Sequence, residues 1–245
     1  MLEYRNVHKS FDAGAGPLPV IKDFTMTIRE GEFIVLLGPS GCGKSTLLRI
    51  TAGLEPTSMG EVLIGGRPPD LRRRHRLGFV FQEPALMPWR DLVSNVTLGL
   101  EIRGVPKAER ERQAGELLGL LGLKGFERYY PHQVSGGMKH RVAIARAYIV
   151  DPIILLMDEP FVALDAQTRE SLQRDLQDLW QRRKKTVIFV THNLEEAILI
   201  GTRIVVLSSR PATVLLDCKV ELPMPRDPVS REFVALRQEL RGLLV

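Results

Sequence analysis

Apolar residues recur along this chain in three rhythms, and each rhythm predicts a different element. Residues 2–7 and 24–28 alternate apolar with polar or charged side chains, the pattern of antiparallel strands with one covered face. Residues 33–37, 77–81, 153–157 and 186–190 are nearly continuous apolar runs, as in strands buried on both faces of a parallel sheet. Residues 92–103, 107–121, 139–149 and 167–182 carry apolar positions at helical spacing with charges between them. A short strand over 61–64, a hairpin from 203–207 to 213–216 and a terminal amphipathic helix over 230–244 complete the pattern. The helical stretch interrupts the strands. The expected organisation is therefore one domain over 1–245, with a core at about 1–82 and 151–220, an inserted helical subdomain at about 83–150 and a tail at about 221–245.

The run at 33–37 ends in Gly38, Pro39, Ser40, Gly41, Cys42 and Gly43, which cannot continue a strand, and Lys44, Ser45 and Thr46 then open a helical run. This is G-x-x-x-x-G-K-[ST], the phosphate loop. Its glycines let the backbone curl until successive N–H groups point inward, so a β-phosphate sits among donors at a helix N-terminus. Lys44 adds charge for the β- and γ-phosphates, the Ser45 hydroxyl suits Mg²⁺, and Thr46 can reach a phosphate oxygen. The strand before and the helix after are what the mechanism demands. The loop implies binding of a nucleoside triphosphate, and nothing about its fate.

Other strand ends carry the remaining chemistry. Gln82 closes the run at 77–81, where a lone amide either ligates Mg²⁺ and positions water or simply caps the strand. The run at 153–157 delivers Asp158 and Glu159 to the edge where α/β sheets bind ligands. Asp158 suits the surroundings of Mg²⁺, and Glu159 can aim a water at a γ-phosphate as general base or orienter. His192, expected at the same edge, can hydrogen-bond a γ-phosphate oxygen. Ser135 is a natural N-cap, and Gly136 and Gly137 expose the first amides of the next helix. That is either a second anion-binding terminus, of use to a facing chain, or a plain helix start with glycine for packing. Phe11, at the lip of a turn over 12–17, suits stacking on adenine or a place in the core. Pro84, Ala85, Leu86, Met87, Pro88 and Trp89 form an apolar loop of the kind that marks interfaces.

Composition narrows the classes. The 245 residues are 44% apolar and 26% charged, an ordinary globular balance with length for a substantial core. A net charge of +5 admits ATP or a place beside anionic lipid but lacks the basic stripe of a nucleic-acid binder. Arg72, Arg73, Arg74, His75 and Arg76, and again Arg182, Arg183, Lys184 and Lys185, read as solvated surface. Only Cys42 and Cys218 are present, and Cys42 lies inside the phosphate loop, which points to a reducing cytoplasm. Residues 1–5 have no apolar signal region behind them, and no uncharged run approaches the roughly 18 residues needed to cross a bilayer. Membrane contact is expected through a partner.

Together these residues resemble the nucleotide-binding subunit of ATP-binding cassette (ABC) transporters, and the resemblance spans nearly the whole chain. Five elements agree in order: the phosphate loop over 38–46, the Q-loop at Gln82, the signature over 134–138, the Walker B run ending in Asp158 and Glu159, and the switch His192. The resemblance implies an α/β P-loop NTPase with a RecA-like core, an antiparallel β subdomain and an inserted α-helical subdomain. It makes Phe11 the adenine-stacking aromatic and Asp165 part of a loop that crosses a dimer. It implies two chains paired head to tail, each ATP held by Lys44, Ser45 and Gln82 of one and by Ser135, Gly136 and Gly137 of the other. Mg²⁺ would be held by Ser45, Gln82 and Asp158, with Glu159, His192, Lys44 and Gln82 as the catalytic set for hydrolysis to ADP and phosphate.

Within the family the chain looks most like importer ATPases of the nitrate, sulfonate and taurine group. The pointers are Met138 after the signature glycines, the stretch over 86–89, Ser209-Arg210-Pro211 and Pro225-Arg226-Asp227. The implied partners are a second ATPase subunit, a transmembrane permease and, indirectly, a solute-binding protein, with no nucleic acid. The implied place is peripheral, on the cytoplasmic face of the inner membrane. The end at Val245 leaves no room for the extra regulatory domain of sugar-importer ATPases. Departures from the family pattern are Val134 for Leu, His140 for Gln, Val162 for a small residue and Asn193 for Asp; none touches Lys44, Asp158 or Glu159. The competing reading, a soluble cassette acting on nucleic acid or ribosomes, calls for two cassettes in one chain or a long coiled coil, and the sequence has neither.

Overall fold

A computed structural model describes residues 1–12, 14, 16–69, 77–162 and 164–244. They divide into two compact units, Met1–His75 with Thr186–Val245, and Arg76–Lys185. The basic cluster at Arg72 to Arg76 lies outside the described residues.

In the first unit, β1 (Leu2–Asp12) pairs antiparallel with β2 (Pro17–Ile28), and β4 (Met59–Ile64) joins on the other side of β1. The alternating pattern predicts only about half of this hairpin. Its outer half is held by main-chain pairing from Lys9–Ile21 to Asp12–Pro17, which needs no apolar face and so leaves no trace in hydropathy. Tyr4 and Phe24 meet edge to face across the ladder, 5.0 Å between ring centroids. The Tyr4 hydroxyl, whose pKa burial pushes well above its ordinary value, hydrogen-bonds Thr51 Oγ1 at 2.6 Å and ties the sheet to helix α1 (Lys44–Thr51).

The same unit holds a second sheet in which β3 (Phe33–Leu37) lies between β7 (Thr186–Thr191) and β8 (Arg203–Leu207), parallel to both. Every residue of β3 and β7 is buried, as their unbroken apolar runs require. β9 (Val214–Lys219) pairs antiparallel with β8, the expected hairpin carried three residues further. Main-chain bonds from Lys22 N to Ala212 O (3.0 Å) and from Ala212 N to Val20 O (2.8 Å) join the hairpin's loop to β2. Helix α6 (Leu194–Ile200) is absent from the sequence reading because seven residues are too few for periodicity to register. Its markers are the Asn193 N-cap and the acidic pair Glu195 and Glu196 in its first turn. Helix α7 (Arg231–Leu243) packs on α6 through fully buried Phe233 and Leu240.

In the second unit β5 (Leu77–Val80) and β6 (Ile154–Asp158) form a parallel pair. Around it are α2 (Leu92–Ile102), α3 (Lys107–Leu120), α4 (Gly136–Tyr148) and α5 (Ala166–Arg183). β5 stops one residue early because Phe81 leaves the ladder and stacks on Phe79, 4.3 Å between centroids. α4 starts three residues before its predicted start, since two glycines of low helix propensity hide the turn that Ser135 caps. Arg182, Arg183 and Lys184 are exposed at the end of α5. Among the described residues no helix is long and apolar enough to cross a membrane.

Candidate functional site

Strand register builds the first group of candidate residues. Leu37 of β3 pairs with Thr191 of β7, so Gly38 and His192 leave neighbouring strands one residue beyond the last pair, at the same edge. The loop from Gly38 then turns through Gly41 (φ 76°) and Gly43 (φ 124°). A Cβ on Gly43 would lie 2.9 Å from Val20 Cγ1 and 3.0 Å from the Val20 carbonyl oxygen, so space and conformation both require glycine. A Cβ on Gly41 would meet nothing within 4 Å, so that side of the loop is open. Cys42 is buried under it, and among the described residues no disulfide involves Cys42 or Cys218.

Lys44 is buried and folds back along the loop, its Nζ donating to the carbonyls of Gly38 (2.8 Å) and Pro39 (2.9 Å). A buried ammonium needs such acceptors, and phosphate oxygens are stronger ones. Ser45 and Thr46 follow, half-buried, in the first turn of α1, where a helix presents the amides that have no carbonyl within it. Pro39 is half-buried and Ser40 is exposed. Phe11 is 37% exposed, outside the core, with Lys9 Nζ 4.7 Å from its ring centroid. Lys9 is itself fixed by Glu55 at 2.7 Å and the Pro56 carbonyl at 2.8 Å.

His192 is exposed, on a turn built by its neighbours. Thr191 Oγ1 donates to Glu196 Oε2 at 2.7 Å and accepts from Asn193 N at 2.9 Å, while Asn193 Oδ1 accepts from the amides of Glu195 (2.9 Å) and Glu196 (3.2 Å). None of these supporting residues stands out in the sequence except Asn193, as a departure from the family pattern.

The second unit holds the other groups. Val80 pairs with Met157, so Gln82 and Glu159 are each the second residue beyond the last pair, and buried Asp158 precedes Glu159. Gln82 is exposed and Glu159 half-buried. Glu159 has φ 43°, a left-handed backbone that costs a non-glycine residue about 1–2 kcal/mol. Such strain persists where the surrounding structure fixes it.

The apolar loop after Gln82 is held from two sides. Arg146 donates to the carbonyls of Pro84 (2.6 Å) and Ala85 (2.7 Å), and burial lowers its pKa. Fully buried Asn95 accepts from Met87 N at 2.8 Å and donates Nδ2 to the carbonyls of Met87, Arg90 and Asp91 at 3.0–3.1 Å. Trp89, between them, is 72% exposed. Asn95 was detectable only as a polar residue inside the apolar stripe of α2.

Exposed Ser135 caps α4, accepting from Met138 N at 3.3 Å. The two signature glycines differ: a Cβ on Gly137 would lie 2.4 Å from Thr168 Cγ2, whereas one on Gly136 would meet nothing within 4 Å. Gly137 thus allows α4 to approach α5, and Gly136 leaves the helix terminus open. Thr168 N donates to Asp165 Oδ1 at 3.0 Å, and that backbone donor holds the Asp165 carboxyl below its usual pKa. Ser45 hydroxyl, Gln82 amide and Asp158 carboxylate are all hard oxygen donors, the chemistry Mg²⁺ takes when phosphate and water complete its shell.

A family model described as ABC transporter matches residues 21–162. The aliphatic sulfonates import ATP-binding protein SsuB of Bacillus licheniformis is 40% identical over 242 residues, 98% of this chain and 92% of that protein. The taurine import ATP-binding protein TauB of Rhizobium johnstonii is 45% identical over 225 residues, 89% of this chain and 86% of that protein. Among solved structures, the ATP-binding cassette MJ0796, a dimer in a post-hydrolysis state bound to ADP and Pi, matches with TM-score 0.80 and 34% identity. It covers 91% of this chain and 100% of that one.

Proposed function

This chain belongs to the ABC transporter family, and from that membership we propose that it is the ATP-hydrolysing subunit of an importer for a small anionic solute of the sulfonate, taurine or nitrate kind. The solute passes through a separate membrane permease. The observation that carries the proposal is likeness over 98% of the chain to a protein named for sulfonate import. Phosphate-loop geometry fitting a triphosphate supports it.

In this reading Lys44 exchanges the carbonyls of Gly38 and Pro39 for β- and γ-phosphate oxygens, and the amides following Gly41 complete the cradle. Phe11 offers adenine the ring face that Lys9 leaves uncovered. Ser45, Gln82 and Asp158 are the residues that would hold Mg²⁺, which when bound would neutralise charge on the phosphate oxygens. Glu159 orients the attacking water and accepts its proton as the bond between the γ-phosphorus and the ADP oxygen breaks. His192 donates to a γ-phosphate oxygen and holds the water in register. Ser135, Gly136 and Gly137 of a second copy, paired head to tail, close on the same nucleotide; the dimeric state of MJ0796 supports the pairing of two cassettes. The pair sits on the cytoplasmic face of the membrane, and the exposed loop around Trp89 meets the permease. A solute-binding protein delivers the solute from outside.

The test is reconstitution in lipid vesicles with a permease and a solute-binding protein of the sulfonate or taurine importer kind. Hydrolysis should rise several-fold when the binding protein carries a sulfonate, taurine or nitrate; no stimulation by any of them would overturn the solute class. Glu159→Gln should bind ATP normally and hydrolyse it about 10²-fold or more slowly, the usual loss on removing a general base. A parental rate in that variant would remove Glu159 from the mechanism.

A further inference from the structure

The segment Pro225-Arg226-Asp227, a pointer to the importer group in the sequence, has no part in the mechanism above. In the structure Arg226 is half-buried against the C-terminal end of α6. Its Nη1 donates to the carbonyls of Ile198 (2.5 Å), Leu199 (3.2 Å) and Gly201 (2.6 Å). Nε reaches the Leu222 carbonyl at 3.1 Å and Nη2 the Val220 carbonyl at 3.4 Å. One guanidinium therefore gathers three carbonyls at the end of α6 and at its C-cap, and binds them to the strand exit at 220–222. Burial pushes its pKa down to about 10, so it remains a cation at neutral pH.

The other end of α6 is the turn that carries His192. A helix of seven residues has less than two full turns and cannot hold its position unaided. Three ties supply that position. Asn193, Thr191 and Glu196 fix its start. Gly201 at its end lies so close to β3 that a Cβ would come 2.8 Å from Val35 Cγ2. The C-terminal segment grips it through Arg226 and through α7, where Arg237 pairs with Glu195 at 2.7 Å. The β3–β7 register places the His192 backbone beside Gly38, and the seating of α6 against β3 holds the turn that follows it, Asn193 to Glu196, on which the His192 side chain depends for its orientation.

We propose that Arg226 is a positioning residue for His192: it clamps α6 against β3 and makes the C-terminal segment 220–244 a determinant of the hydrolysis rate. The proposal rests on the catalytic reading of His192. The test is a double-mutant cycle on the full chain with His192→Ala, Arg226→Gln, Arg226→Lys and the combination of His192→Ala with Arg226→Gln. ATP affinity is read with a fluorescent analogue, rate by phosphate release and helix mobility by amide hydrogen exchange over 193–200. Arg226→Gln should keep ATP affinity within about twofold and lose about tenfold to a hundredfold in kcat, because a displacement of about 1 Å at a catalytic group can cost 10²-fold. Exchange over 193–200 should accelerate. Arg226→Lys, which keeps the charge but lacks the fork, should fall between, and serves if the glutamine variant does not fold.

In the His192→Ala background, Arg226→Gln should cost little more, because both changes remove the same interaction. Equal losses in both backgrounds, or an unchanged kcat in folded Arg226 variants, would overturn the clamp while leaving the role of His192 standing. A parental rate in His192→Ala alone would overturn that role, and the positioning proposal with it.

Discussion

Replacing Asn95 with alanine should unfasten the loop that carries Trp89, and the cost can be worked from its bonds. The side chain has one acceptor oxygen, taken by Met87 N, and two amide hydrogens shared among the carbonyls of Met87, Arg90 and Asp91. After truncation the Asp91 carbonyl keeps Asn95 N at 2.9 Å and the Met87 carbonyl keeps Arg90 N at 3.1 Å. Met87 N and the Arg90 carbonyl lose their partner. An unsatisfied buried group costs about 1–3 kcal/mol, and both residues are half-buried, which places each near the lower end. The sum is about 2–4 kcal/mol, or roughly 4–16 °C in Tm for a chain of this size. Asn95→Asp sharpens the test: it keeps the acceptor for Met87 N but turns a carboxylate oxygen toward three carbonyls, so it should be no more stable than Asn95→Ala despite its matching shape. Thermal unfolding followed by circular dichroism measures both. A Tm within 1 °C of the parent for Asn95→Ala, or Asn95→Asp clearly above it, would refute the view that this amide holds the loop.

Trp89→Glu removes an apolar side chain from the loop's exposed tip, so Tm and basal hydrolysis should stay at parental values while solute-stimulated hydrolysis with the permease is lost; retained stimulation would move the docking surface elsewhere. Gly137→Ala drives a Cβ toward Thr168 Cγ2 and should cost about 1–3 kcal/mol, with Thr168→Ala restoring most of it in the double variant; an unstable double variant would deny that this contact is the reason. Burial lowers the pKa of His140, whose Nδ1 has no hydrogen-bond partner among the described residues, so between the unfolded and folded values the unfolded chain binds more protons and stability falls as pH drops below about 6.5. His140→Gln should therefore lose less Tm than the parent between pH 7.5 and pH 5.5, values bracketing the ordinary histidine pKa of about 6.5. Equal losses would show that His140 does not titrate on unfolding.

The sequence alone determined the chemistry that is local in the chain. A phosphate loop between a buried strand and a helix, and acidic, amide and imidazole side chains at the ends of apolar runs, follow from backbone freedom and from the burial of neighbouring residues. It also yielded the family, because five such motifs in order leave few alternatives. Tertiary structure decided what depends on residues far apart. It put Phe11 outside the core and gave one signature glycine to packing and the other to an open terminus. It bent Glu159 into a left-handed backbone, and made Asn95, Arg146 and Arg226 the fasteners of loops and helix ends. These last contacts join polar side chains to main-chain carbonyls, which every residue has alike. Periodicity records which side of an element is apolar; it carries no record of which distant carbonyl a guanidinium or amide will find, and that is settled only when the chain is packed.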